Sequence, residues 1–307
     1  TPMKSTPLRL VALLTLLAAA ARAADNASPF NRANTVAWCV VPFDGLKRTP
    51  AARAEMLRSL GLTKVAYDWR AEHVAQFESE ILEYRRHGLE FFAFWNTHDE
   101  AFRLFQKHHL RPQIWQTAPS PDGGTQDERV ATAAARLLPA VKRAREIGSR
   151  FGLYNHGGWG GEPENLVAVR EHLHRVHGAD HVGIVYNFHH GHPHVDRLAA
   201  ALSALKPHLL CLNLNGMMRD GDRRGMKIFP LGQGELDVAL LRVVAQSGYR
   251  GPVGIIGHTQ DDVELRLRDN LEGLDWIAAQ IEGRPAGPRP VARVPLQPKM
   301  QAPAAGK

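Results

Sequence analysis

Short apolar runs recur along this chain, and each gives way to polar residues and then to a segment with helical periodicity. Three of the runs end alike. Residues 151–159 read FGLYNHGGW, residues 182–194 read VGIVYNFHHGHPH and residues 209–217 read LLCLNLNGM. A short apolar run that finishes on Asn or His, and then on Gly, has the pattern of a buried strand whose C-terminal end opens on a site. Five more runs, at 35–43, 64–67, 89–95, 112–115 and 252–257, complete a set of eight. Helices are expected between them, over 50–60, 72–87, a stretch ending at 109, 126–147, 164–176, 195–205 and 237–246, with a last one after 262. Thr49 and Pro50 form an N-cap and first-turn pair, and Thr259 with Asp262 three residues on resembles a capping box.

Eight strand–helix alternations over about 240 residues predict an α/β fold, a (β/α)8 TIM barrel. An open doubly wound sheet competes with it, but no Gly-rich dinucleotide fingerprint follows the first strand. In a barrel, alternate strand residues point inward and function collects at the C-terminal strand ends. With Asn187 inward, Val185 and Gly183 are inward too, and Ile184 and Tyr186 face helices. With Asn213 inward, Cys211 and Leu209 follow it, leaving Leu210, Leu212 and Leu214 outside. Polar ends of this kind on three strands imply one shared pocket.

The ends of the chain change the picture of its charge. Residues 1–23 have the order of a signal peptide: basic Lys4 and Arg9, an apolar stretch over 10–20, then the small-x-small site Ala21-Arg22-Ala23. The apolar stretch is too short to span a bilayer. The expectation is an exported protein, periplasmic or secreted, with no stable membrane anchor after signal cleavage. Residues 24–34 read as a linker, 35–282 as the barrel, and 283–307 as a Pro/Ala/Arg-rich disordered tail. Lys4, Arg9 and Arg22 lie in the leader, and Arg284, Arg289, Arg293, Lys299 and Lys307 lie in the tail. The formal charge of +7 therefore falls to −1 for residues 24–282. A near-neutral body lacks the basic face of a nucleic-acid binder, so no nucleic-acid partner is expected. Cys39 and Cys211 sit in apolar runs and read as buried free thiols.

The chemistry-bearing residues cluster at the strand ends. Histidine suits proton transfer near neutral pH, and His156, His190 and His258 are the catalytic candidates. Glu162 and Glu235 have weaker claims as loop carboxylates. His172, His174, His177, His192 and His194 read as solvated histidines. Trp159, Trp69 and Trp95 lie near strand ends and read either as stacking surfaces for a ligand or as ordinary core material. Asp44 and Asp68 end the first two strands, where each could bind a hydroxyl or cap the following turn.

Three local matches give the chain a family resemblance. The run Leu231-Gly-Gln-Gly-Glu-Leu-Asp237 precedes a helix and then Gly248-Tyr-Arg-Gly251. Tyr154-Asn155-His156 stands where the family often has Glu-Asn-His, and Asn187-Phe-His-His190 where it often has Asp-x-x-His. Over residues 35–281 the chain resembles the sugar phosphate isomerase/epimerase family, the xylose-isomerase-like TIM barrels. The resemblance implies proton abstraction next to a sugar carbonyl, and the strand-end residues Tyr154, Asn155, Trp159, Asn187, Asn213, Asn215 and Asp68 are the substrate-binding candidates. It also implies a divalent metal held by Glu, Asp, His and Glu from the fifth to eighth strands. Tyr154, Asn187, Asn213 and Gly257 occupy those positions here, so the carboxylates of a manganese-type site are gone. The set His156, Asn187, His190 and His258 would suit zinc better. Export favours a small-molecule carbohydrate without phosphate, an unphosphorylated sugar or oxidised glycoside, for isomerisation, epimerisation or lyase chemistry. The alternative is a secreted non-catalytic carbohydrate-binding barrel that has lost its metal carboxylates. DNA hydrolysis on the same fold is disfavoured by export, the neutral body and the missing ligands.

Overall fold

The computed structural model describes residues 28–296. The expected leader and residues 297–307 of the expected tail lie outside them. Eight strands, β1 (Thr35–Trp38), β2 (Lys64–Tyr67), β3 (Glu90–Trp95), β4 (Gln113–Thr117), β5 (Phe151–Tyr154), β6 (Val182–Asn187), β7 (Leu209–Leu214) and β8 (Val253–Ile256), pair in parallel and in order. β1 pairs with β8, so the sheet closes. The principal helices are α1 (Pro50–Ser59), α2 (Phe77–Arg86), α3 (Asp99–Lys107), α4 (Gln126–Glu146), α5 (Pro163–His177), α6 (Leu198–Leu205), α7 (Asp237–Gln246) and α8 (Val263–Ile281). The chain is a (β/α)8 TIM barrel, as its periodicity predicts.

Local chemistry sets the helix ends. Thr49 accepts a hydrogen bond from Ala52 N ahead of Pro50, and Thr125 forms a capping box with Glu128 at the start of α4. The expected Thr259 box does not form. Asp262 is itself the N-cap of α8 and accepts from Glu264 N.

Side chains alternate between two apolar layers. Tyr67, Phe94, Ile184, Tyr186 and Leu212 pack outward against the helices. Val36, Trp38, Trp115, Tyr154, Val185, Cys211 and Ile256 fill the barrel. The expected register fails at one place. Leu210 lies inside and Leu209 packs outside, because the β6–β7 pairing slips from Ile184↔Leu209 to Val185↔Cys211. Such a bulge turns one extra residue to the other face. Gly183 leaves the room, since a Cβ there would stand 2.6 Å from Leu210 Cγ. Cys39 and Cys211 are buried and free.

The first strand is shorter than its apolar run. Cys39 takes φ 55° and residues Val41–Phe43 form a 3-10 turn, which carries Phe43 across the barrel mouth. The linker and tail are also more ordered than expected. Phe30 is buried in the outer layer, and Asn34 Nδ2 donates to Gly251 O at 2.6 Å. Beyond α8, Arg293 pairs with Asp269 at 2.9 Å and Glu272 at 2.8 Å, and Val294 is buried. Arg289 donates to the carbonyls of Gly232 and Gly234. Among the described residues, no helix is long and apolar enough to cross a membrane.

Candidate active site

The C-terminal ends of β5 and β6 are joined by one amide. Asn155, fully buried, accepts from Asn187 N at 2.6 Å and donates to Asn187 O at 3.1 Å. It continues the pairing past the point where the ladder ends, so its side chain positions Asn187. Asn187 in turn caps the 3-10 turn Phe188–His190, accepting from His189 N at 3.0 Å. Because Oδ1 is the end that accepts, Nδ2 faces Tyr154 and donates to its hydroxyl.

Tyr154 receives a second hydrogen bond from Trp38 Nε1 at 3.1 Å. Two donors fill the acceptor side of the phenol oxygen, so its own proton is left for a further partner. Burial and the neighbouring Cys39 and Asp68 push its pKa well above the ordinary value, and it stays a phenol at any working pH. Trp95 meets its ring edge-on at 4.9 Å. The residue at the first implied metal position is therefore a fixed hydrogen-bond donor.

Four imidazoles line the mouth next to it. The ring centres of His156 and His190 are 4.2 Å apart, those of His190 and His189 are 4.2 Å apart, and those of His189 and His258 are 5.1 Å apart. Phe43 closes the row on His258 at 3.9 Å, and Tyr154 lies 6.1 Å from His190. Burial, then repulsion by neighbouring imidazoles, lowers His190 to about 2 and holds His189 well below its usual range, and burial, then the Arg70 guanidinium and His156, lowers His258 to about 4. All three are neutral at physiological pH. His156 is exposed at the rim.

These depressed values predict acid lability. Below the ordinary histidine pKa of about 6.5 the unfolded chain binds protons that the native chain refuses, so stability is full above that pH and falls as pH drops. The loss runs from about pH 6.5 to 4 for His258 and continues lower for His190, at most about 1.4 kcal/mol per pH unit for each group. Urea denaturation at pH 7.5, 6 and 5 checks this. His190→Gln should flatten the decline, and an unchanged slope would contradict the assignment.

The expected metal set is not brought together. Asn187 is engaged by Tyr154 and His189, and His258 meets His189 in the row. Asn213 faces inward with Oδ1 accepting from Cys211 Sγ at 3.4 Å, and Gly257 offers no side chain. Among the described residues, no group of three or more His, Cys, Asp or Glu is placed to hold a metal ion. The donors present do not fit the divalent metal that the resemblance implies.

Other expected residues take different places. Trp159 packs against α4, its Nε1 on Gln126 Oε1 at 3.1 Å and its ring under Arg129. Asp68 is paired with Arg70 at 2.8 Å and accepts from Trp69 N. Asp44 pairs with Arg48 and accepts the backbone N–H of Leu46 and Arg48. Glu162 holds Arg197, and Glu235 accepts from Arg219 N. His192 and His194, expected in solvent, are buried. His194 bonds the Tyr186 hydroxyl at 2.7 Å, and His192 holds Lys227 O at 2.9 Å. The Nδ2 of fully buried Asn213 has no hydrogen-bond partner, and Gly254 leaves the space its side chain fills. Asn215 donates to Gly216 O and Lys227 O. Asp237, the end of the family-like run, takes Met217 N, Gly232 N and Gly234 N at 2.6, 2.7 and 2.9 Å. It clips the β7–α7 loop to its helix. Trp38, His189 and Lys227 had not been singled out. An inward strand position was the available signal for Trp38, and the adjacent pair of histidines for His189.

No protein-family model matches the chain, and no curated protein matches it. Solved structures do. The barrel is similar to 3-keto-D-glucoside 4-epimerase from E. coli, at 14% identity and a TM-score of 0.56, over 80% of this chain and 99% of that one. It is similar to D-psicose 3-epimerase from Clostridium cellulolyticum H10, solved with D-tagatose, at 12% and 0.54, over 81% and 99%. It also resembles a xylose isomerase domain protein from Planctomyces limnophilus, at 15% and 0.58, over 82% and 100%. At these identities the likeness establishes the fold, a xylose-isomerase-like TIM barrel.

Proposed function

We propose that the chain is a carbohydrate-active enzyme that abstracts a proton next to the carbonyl of an unphosphorylated sugar or oxidised glycoside. The observation that carries this reading is the Tyr154 phenol, with both acceptor positions filled and its proton left to give, beside a row of neutral imidazoles. The sugar epimerases among the structural neighbours support the substrate class. The basic, apolar, small-x-small order of residues 4–23 supports export, and with it a sugar without phosphate.

In this reading the substrate carbonyl accepts the Tyr154 proton as a hydrogen bond. The carbon-bound proton passes to an imidazole of the His156–His190 pair while negative charge gathers on the oxygen. A donor fixed in a desolvated site stabilises that charge without reorganising. A proton delivered to the opposite face by water or a second group, while the imidazole keeps the first, gives an epimer; return to the neighbouring carbon, with a proton passing between the two oxygens, gives an isomer. Loss of a β-substituent gives a lyase product. Trp38 and Asn187 orient the phenol, and Asn155 orients Asn187.

A second reading, a carbohydrate-binding barrel, draws on the low basicity of His190, which makes it a weak proton acceptor. Proton exchange separates the two. The protein should wash deuterium from heavy water into the carbon next to the carbonyl of at least one member of a panel of unphosphorylated aldoses, ketoses and 3-keto-glycosides. Binding of a panel sugar without exchange into it would favour the binding barrel.

A further inference from the structure

The β7–α7 loop brings a lysine to the mouth and holds it there by its backbone. The carbonyl of Lys227 accepts from His192 Nε2 at 2.9 Å and from Asn215 Nδ2 at 3.2 Å, one group from beyond β6 and one from beyond β7. Two residues later the chain is pinned again, by Phe229 N to Gly216 O at 3.3 Å and Gly216 N to Phe229 O at 2.7 Å. Asp237 fixes the rest of the loop through Met217, Gly232 and Gly234. The backbone of Lys227 is thus held from both sides, which sets where its side chain starts at the mouth.

Its surroundings give the ammonium no partner. Lys227 is half-buried, and no ion pair or hydrogen bond engages its side chain among the described residues. Its charge acts on His189, His190 and His258, which places it toward the imidazole row, and Asp222 attracts it without forming an ion pair or hydrogen bond. Partial burial lowers its pKa, and the group remains a donor. The remaining lining is a phenol, amides and neutral imidazoles. Asp68 and Asp44 are already bonded to Arg70 and Arg48. The mouth therefore carries a positive charge that only the exposed Asp222 offsets, and a half-buried cation gains from a ligand that brings a closer counter-charge.

We propose that Lys227 binds a carboxylate of the substrate, so that the site takes a uronate, a sugar acid that keeps its aldehyde or keto group, in preference to the neutral sugar. This rests on the sugar reading above and narrows it. An oxidised sugar of this kind keeps the carbonyl chemistry of that reading and adds the anion the mouth lacks. The reaction that supplies such a substrate is an oxidation of a sugar's terminal carbon.

Calorimetric titration of the folded wild-type chain tests this with matched probes: D-glucuronate and D-galacturonate against D-glucose and D-galactose, with D-glucose 6-phosphate as a second kind of anion. At least one acid should bind about 10- to 100-fold more tightly than its neutral parent, as a charged hydrogen bond allows. Lys227→Met should erase that ratio, and Lys227→Arg should retain most of it. Equal affinity for acid and neutral sugar, no binding of any acid, or a ratio that survives Lys227→Met would overturn the proposal. Tighter binding of the phosphate would overturn the carboxylate assignment. The expected preference in a protein that shows no proton exchange would sink the catalytic reading alone and leave Lys227 in its role.

Discussion

Tyr154→Phe is expected to lower turnover about 10²- to 10³-fold while the barrel stays folded. The substitution keeps the ring and its contacts with Trp95, Trp38 and His190. It removes only the hydroxyl that takes Trp38 Nε1 and Asn187 Nδ2 and leaves its proton for the substrate. Loss of one fixed donor to a developing oxyanion commonly costs that much. The effect should fall on kcat more than on KM, because the bond strengthens as charge gathers on oxygen. Two buried donors lose their acceptor, so a stability loss of about 1–3 kcal/mol should accompany it. Steady-state kinetics beside urea denaturation separates the two effects. Turnover within a factor of a few of wild type would move the donor elsewhere.

His156→Ala and His190→Ala should each reduce turnover about 10²- to 10⁴-fold, the range for losing a positioned acid or base. Their ring centres lie 4.2 Å apart with the planes tilted, one exposed at the rim and one beside Tyr154, so each could reach a carbon held against the phenol. Affinity should change far less than rate. If both variants keep wild-type exchange, the base is neither of them, and His258 at the other end of the row becomes the group to replace. If the wild type itself only binds, both substitutions should weaken sugar affinity with no rate to lose.

How much of this could be read from the chain follows from the range of the interactions involved. Strands and helices rest on local periodicity, and the eight alternations, Thr49 as a cap and Asn187 as an inward strand end all follow from residues close in sequence. Asp237 was recognisable from its motif, and its three backbone bonds supply the physical reason. What escaped depends on distant partners. Trp159 lies against α4 because Gln126 and Arg129, some thirty residues earlier, meet it there. Leu210 turns inward because Gly183, on the neighbouring strand, makes the space. Nothing about a cysteine signals that Cys39 will adopt a positive φ and end β1 early. The Pro- and Arg-rich composition after 283 suggests disorder, yet Arg293 finds Asp269 and Glu272 on α8. The functional consequence is largest at Tyr154. The sequence shows that a carboxylate is missing there, and the fold shows two donors on the hydroxyl that replaces it, which the proposed function reads as a hydrogen-bond donor to substrate.

The central claim is that this barrel polarises its substrate with Tyr154 in place of the metal that the family resemblance implies. The most direct test is the rate of deuterium exchange into a responsive sugar before and after exhaustive dialysis against chelator, with metal content measured on the same samples. The account predicts an unchanged rate after chelation and no gain on adding zinc or manganese, in a protein holding well under one metal ion per chain. Exchange abolished by the chelator and restored by one equivalent of a divalent metal would contradict it.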